Sequence, residues 1–282
     1  MLELIDELKY IKLAIFDLDG VVYRGDKLIP NAEKVIRELK EKSIEVVYNT
    51  NNSTITRQSF VEKLKKLGIS SKLSNIYTSA SITSAEITRI KKKAKIYVIG
   101  ETGLREELKS LGHTIETNPT IYKDIDFVIV GLDRAFSYDR LAIAQKCILE
   151  GDSQFYATNM DPTLPVAIGF KPGAGVMVNA VTTCTDKKPI RVFGKPEPFG
   201  IKLILKDKKF SPEEACIFGD RLNTDILAGN RAEITSIAVL TGVSTKKMII
   251  DLKKKVNETK DKDIKMLPDL VIDKLDDIFK EM

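Results

Sequence analysis

The chain has one histidine, three cysteines and no unbroken apolar run of the ~18 residues that a membrane helix needs. Each shortage removes a class of function. Cys147, Cys184 and Cys216 show no CxxC spacing, so neither a disulfide framework nor a zinc site is expected. Each reads as a small buried hydrophobe in a reducing compartment. His113 follows Gly112 where a helix is expected to end, the place of a cap or surface residue, which disfavours chemistry through phosphohistidine. No Gly-x-x-x-x-Gly-Lys-Ser/Thr occurs, against a Walker-type ATPase, and Gly173-Ala174-Gly175 lacks the third glycine of a dinucleotide fingerprint. The stretch 1–9 is acidic and too poor in apolar residues for a signal peptide, so a soluble, cytoplasmic protein is expected, with no membrane partner. Charge of one sign is also scarce. Lys and Arg number 45 against 40 Asp and Glu, and the net +5 is spread in short runs such as 91–95 and 253–255. Such runs read as solvated helix faces, and without a basic stripe and interleaved aromatics no nucleic-acid partner is expected.

Four acidic and polar clusters do stand out, each beside an apolar run and in one order: Asp17-Leu18-Asp19-Gly20, Thr50-Asn51-Asn52, Gly194-Lys195-Pro196, and Gly219-Asp220 followed by Asp225. The run 13–16 reads as a strand buried on both faces that ends at Asp17. Open parallel sheets bind ligands at the carboxyl ends of their strands, which is where Asp17 and Asp19 would sit. Two carboxylates two residues apart can divide the labour of phosphoryl transfer, one attacking phosphorus and the other moving protons. A carboxylate repels a phosphate dianion, so a cation must lie between them, and Mg²⁺ is a common choice. A second buried-strand candidate, 215–219, delivers Asp220 to the same edge, and the spacing to Asp225 suits a loop that turns both carboxylates toward one metal. Lys195 adds a point charge for phosphoryl oxygens. Thr50, after the strand-like 44–48, brings a hydroxyl, and the amides of Asn51 and Asn52 can complete a phosphate cradle.

These residues resemble the haloacid-dehalogenase superfamily, in the branch of the NagD-type, p-nitrophenyl phosphate and phosphoglycolate phosphatases. Residues 17–26 resemble the first motif and flap of that branch, and Thr50 to Ser53, Gly194 to Pro198 and Gly219 to Ile226 its remaining motifs, in order. The resemblance implies a Mg²⁺-dependent phosphatase of small phosphorylated metabolites. It makes Asp17 the nucleophile, Asp19 the general acid and base, Thr50 and Lys195 phosphoryl ligands, and Asp220 a metal ligand beside Asp17 and the backbone carbonyl of Asp19. Asp225 would act on the metal through water or by orienting Asp220. In the same branch an α/β cap carries a substrate loop, matched here by Ala157-Thr158-Asn159-Met160-Asp161 with Pro165 and by 172–175, and Asp161 is a candidate substrate contact. Many relatives have proline where this chain has Met160, a departure that bears on substrate preference. Caps of this type often pair, so a homodimer through the cap is expected.

Alternating strand and helix patterns over 11–80 imply βα units and a parallel sheet, with strands at 13–16, 44–48 and 76–79 and helices near 31–42 and 57–67. A second series, 95–157, separates Thr50 from Lys195, two groups that must meet at one phosphate. An inserted domain explains that separation. The expected fold class is α/β, a doubly wound parallel-sheet core of residues 1–80 and 187–282 with an inserted α/β cap of 81–186. Later core strands are expected at 191–193, 215–218, 234–240 and 270–272. A receiver domain would be far shorter and would carry no insertion. A dehalogenase has no need of the acid at Asp19. A phosphomutase on the same core stays open, as does a non-catalytic phosphate-binding protein, which would have little reason to keep both Asp19 and Asp220.

Overall fold

The structure, a computed structural model, describes residues 2–165, 169–259 and 265–281. Its chain divides into two compact units, one of residues 1–50, 61–77 and 195–282 and the other of 51–60 and 78–194. The first is the core unit and the second the inserted unit.

In the core unit the apolar run Leu13–Phe16 is a strand buried at every residue. It belongs to a six-stranded sheet ordered Leu270–Ile272, Thr235–Val239, Ala215–Gly219, Leu13–Phe16, Glu45–Thr50 and Ile76–Thr78, the first five parallel. Numbered along the chain, this is the doubly wound order 3-2-1-4-5-6 read from its far edge. The order reverses between Leu13–Phe16 and Ala215–Gly219, and sheets of this kind bind ligands beyond the carboxyl ends of the strands at that reversal. Phe16 and Phe218, paired in register there, stack with ring centroids 4.4 Å apart. The helix Ala32–Glu41 shows why such sheets are covered: Ala32, Val35, Ile36 and Leu39 recur at helical spacing and are all buried. The two ends of the chain meet as the antiparallel pair Leu2–Leu4 and Phe279–Glu281, which no sequence pattern announced.

The inserted unit holds a five-stranded parallel sheet ordered Arg191–Val192, Gln154–Ala157, Phe127–Val130, Lys95–Ile99 and Thr114–Glu116. Its helices Tyr138–Leu149 and Ala174–Thr185 bury Cys147, Ile148, Val178 and Val181 against that sheet. The α/β class with a doubly wound core and an α/β insertion is therefore as expected. Its borders differ from those drawn at 81 and 186. Residue 81 falls inside the helix Ser79–Ile90, whose start is fixed by Thr78: its side chain accepts from the backbone N–H of Ser81, and the Ser81 hydroxyl reaches back to the N–H of Thr78. At the other border, Arg191–Val192 pairs with Tyr156 and Ala157 instead of joining the core sheet. The ladder continues through Phe193 N to Ala157 O and Gly194 N to Thr158 O, so the insertion runs to Gly194.

Two further readings are corrected. His113 is buried. Its Nδ1 accepts from the N–H of Ala94, so the ring is the neutral Nε2–H tautomer donating to Thr88 Oγ1, which in turn donates to Ser84 O. Of the cysteines, Cys147 and Cys216 are buried as expected, while Cys184 is only half-buried. Among the described residues no helix is long and apolar enough to cross a membrane.

Candidate active site

Asp17 and Asp220 directly follow the two strands at the order reversal, so the sheet itself carries both carboxylates to one edge. The N–H of Asp17 donates to Phe218 O at 2.9 Å, extending the ladder by one step. The chain then turns sharply: Leu18 O accepts from Val22 and Tyr23, Gly20 N donates to Tyr23 O, and the short hairpin Tyr23–Arg24 and Lys27–Leu28 follows. Gly20 is required twice over. Its φ of +87° favours glycine, and a Cβ there would come within 2.4 Å of Asp220 Oδ2. Gly242, in the loop after Thr235–Val239, closes on the same carboxylate, with a Cβ position 1.9 Å from Asp220 Oδ2. The neighbouring Val243 N–H donates to that oxygen at 2.8 Å, and Ser244 N–H donates to Asp220 O at 2.9 Å.

After Asp220, a π-helical turn over Leu222–Ile226 brings Asp225 back beneath the strand end. One of its oxygens accepts from Arg221 N at 3.1 Å and the other from Lys195 Nζ at 2.6 Å. Lys195, 3 % exposed, also donates to Asp17 Oδ1 at 2.6 Å and to Asn49 O at 2.8 Å, which satisfies all three of its protons. The carboxylates of Asp17, Asp220 and Asp225 offer oxygens that all lie within 4.8 Å of one another.

One ammonium against three crowded carboxylates leaves the cluster net negative. Burial pushes the Asp17 carboxyl well above the usual carboxylate range; Lys195 opposes this, and the charges of Asp225 and Asp220 add to it. Burial and then repulsion from Asp225 push Asp220 up to about 6. Burial works against the charge on Lys195, yet Asp17 and Asp225 outweigh it and hold the ammonium firmly protonated. The Asp19 side chain is open to solvent, but enough protein surrounds its carboxyl for desolvation to raise it, against the pull of Lys63, Arg221 and Lys195. Lys63 is itself fixed 3.8 Å above the centre of the Tyr23 ring.

The structure thus joins Asp17, Lys195, Asp220 and Asp225 in direct contact or close approach, with Asp19 within electrostatic reach of Lys195. Thr50 is buried at the carboxyl end of Glu45–Thr50, the strand beside Leu13–Phe16. Asn51, Asn52 and Asp161 belong to the inserted unit. There Asn51 Nδ2 donates to both Asp161 oxygens, at 3.2 and 3.1 Å, and Asn52 Oδ1 closes a turn by accepting from Thr54 N and Oγ1. Sequence reasoning missed the carbonyl of Asn49, the Gly242-Val243-Ser244 loop and Lys63. The loop carried one signal, a glycine just beyond an apolar run; the other two carried none.

Comparison with known proteins gives the family of the chain. Residues 14–114 match a family described as haloacid dehalogenase-like hydrolase, and residues 192–278 match a HAD-hydrolase-like family. The acid sugar phosphatase of Staphylococcus haemolyticus is 34% identical over 238 residues, 84% of this chain and 88% of that protein. The 5'-nucleotidase YutF of Bacillus subtilis is 32% identical over 244 residues, 86% of this chain and 93% of that protein. Among solved structures, 4-nitrophenylphosphatase from Thermotoga maritima superposes with a TM-score of 0.84 at 31% identity, covering 96% of this chain and 97% of that one.

Proposed function

Since the chain belongs to the haloacid dehalogenase-like hydrolases and is a phosphatase of their NagD-like branch, we propose that it hydrolyses small phosphate monoesters through an aspartyl phosphate on Asp17. The observation that carries this reading is the single buried ammonium of Lys195 shared by Asp17 and Asp225, with Asp220 within 4.8 Å of both.

The donor set fits a hard divalent cation: it is all oxygen, net negative, and contains two carboxyls that burial holds above their ordinary range. Asp17, Asp220 and the backbone carbonyl of Asp19 would hold Mg²⁺, and Asp225, whose two oxygens accept from Lys195 and Arg221, would orient the cluster. When bound, the ion would supply positive charge for the phosphoryl oxygens and keep Asp17 ionised.

In the first half-reaction an Asp17 oxygen attacks phosphorus in line, and protonated Asp19 gives its proton to the departing ester oxygen. The raised carboxyl of Asp19 suits it to hold that proton. In the second, Asp19 takes a proton from water, which attacks the aspartyl phosphate and frees inorganic phosphate and the Asp17 carboxylate. Lys195 is already charged and already placed at Asp17, so its stabilisation needs no rearrangement as charge moves onto the phosphoryl oxygens. The relatives named acid sugar phosphatase and 5'-nucleotidase support sugar and nucleotide phosphates as the substrate class.

The test is hydrolysis of p-nitrophenyl phosphate by wild type and Asp17→Asn, with Mg²⁺ and with chelator. Activity that needs both Asp17 and the ion is expected. Turnover that survives loss of Asp17 would remove the nucleophile assignment.

A further inference from the structure

Thr50 and Lys195 each stand at a border between the two units, and the residues beyond them, Asn51 and Gly194, belong to the inserted unit. Those two residues meet. A Cβ on Gly194 would lie 2.7 Å from Asn51 Oδ1 and 2.5 Å from Thr158 O, to which Gly194 N–H donates at 2.7 Å. Only a residue without a side chain allows this approach.

The rest of Asn51 is held as closely. Its carbonyl accepts from Ser79 Oγ at 2.6 Å and from Asn159 Nδ2 at 2.9 Å, and its side-chain amide donates to the two oxygens of Asp161. Asp161 is locked in turn, because its N–H donates to Asn159 Oδ1 at 3.1 Å. Gly173 and Gly175 let the start of the helix Ala174–Thr185 close on the 160–161 backbone: added Cβ atoms would meet Asp161 O at 2.1 Å and Met160 O at 2.6 Å. Met160, partly buried, packs its side chain against the core of this unit.

We infer that Asp161 is a positioning residue: by gripping the Asn51 amide in a clamp shared with Asn159 and Gly194, it fixes the two chain segments that deliver Thr50 and Lys195. The inference rests on the proposed phosphatase reading and revises one part of it, since Asp161 then serves catalysis through Asn51 instead of by touching substrate. Its effect falls on turnover and is the same for every ester, whereas a substrate contact acts on KM and varies with the leaving group.

An exchange of partners tests this. Wild type, Asp161→Ala, Asn51→Asp, Asp161→Asn and the double variant Asn51→Asp/Asp161→Asn are compared by thermal midpoint and by kcat and KM on p-nitrophenyl phosphate and glucose 6-phosphate. Asn51→Asp sets two carboxylates against each other, and adding Asp161→Asn restores an amide-to-carboxylate pair with the roles reversed. Asp161→Ala is expected to lower kcat about tenfold on both esters with little change in KM. Asn51→Asp should lose about a hundredfold, and the double variant should recover most of that loss in both kcat and midpoint. A change confined to KM, or of different size on the two esters, would overturn the positioning role in favour of direct substrate contact. Additive effects in the exchange would overturn the clamp. A wild type inactive on both esters would defeat the phosphatase reading and this role in catalysis with it, while the midpoints would still report whether the two residues are coupled.

Discussion

The Lys195 ammonium lies 2.6 Å from Asp17 Oδ1, although the two residues are 178 positions apart in the chain. Both are buried, and another N–H of the same ammonium donates to Asp225 at the same distance. Removing the cation therefore does more than weaken phosphate binding.

Lys195→Met should leave Asp17 and Asp225 buried without a counter-charge, a defect that costs about 3–5 kcal/mol when a buried pair is broken on one side. The expected result is a large drop in thermal midpoint in chelator, partly reversed by Mg²⁺, with kcat at saturating Mg²⁺ down at least ~100-fold. Lys195→Arg should not rescue it, because a planar fork cannot copy three donors aimed at Asp17, Asp225 and Asn49. A variant with wild-type midpoint in chelator would show that the ammonium does not neutralise this cluster.

Asp19→Asn separates acid chemistry from attack. Hydrolysis of a sugar phosphate, whose leaving alkoxide needs a proton, should fall about 10²–10⁴-fold. The burst of p-nitrophenolate in a rapid-mix experiment should be much less affected, since that group departs with little need of a proton. Equal slowing of the first step for both esters would contradict the acid role.

Gly242→Ala tests the close approach around Asp220. The new methyl would sit 1.9 Å from Asp220 Oδ2, so the carboxylate must move. A higher Mg²⁺ requirement is expected, with kcat at saturating Mg²⁺ recovering in part and the fold retained by circular dichroism. An unchanged Mg²⁺ titration would place Asp220 outside the ion's ligand set.

His113 gives the inserted unit an acid sensitivity. Burial lowers its folded-state pKa below the ordinary value near 6.5, and its Nδ1 must stay bare to accept from Ala94. The unfolded chain therefore binds the proton more readily, so stability rises with pH across the window between the folded value and ~6.5. The contribution is complete above ~6.5 and is lost as pH falls through that window. Thermal midpoints at pH 7.5 and 5.0 should differ more for wild type than for His113→Gln; equal differences would count against the linkage.

Sequence patterns that depend on neighbours along the chain were legible. Leu13–Phe16 and Ala215–Gly219 are continuous apolar runs, and burial on both faces follows directly from that. Their terminal aspartates then fall at one sheet edge, because parallel strands present their carboxyl ends together. The insertion was legible for a similar reason: a second series of strands and helices stood between Thr50 and Lys195. The sequence does not show that the strand expected at 191–193 leaves the core, because so short a strand has no pattern of its own and takes its sheet from whichever ladder completes its hydrogen bonds. Gly112 marks a helix end and so points His113 to a cap or the surface; its burial depends on Thr88 and Ala94, distant in sequence but adjacent in the folded unit.

By itself, then, the sequence determined which residue types stand at which strand ends, and with them the acidic chemistry and the doubly wound core. Tertiary structure alone decided that Lys195 bridges Asp17 and Asp225, that Gly20 and Gly242 close on Asp220, and that Asp161 grips Asn51. The physical reason is that strand and helix preferences act over a few neighbouring residues, whereas these contacts are hydrogen bonds and close approaches between segments up to 200 positions apart. Such contacts exist only once the sheets have fixed where each segment ends.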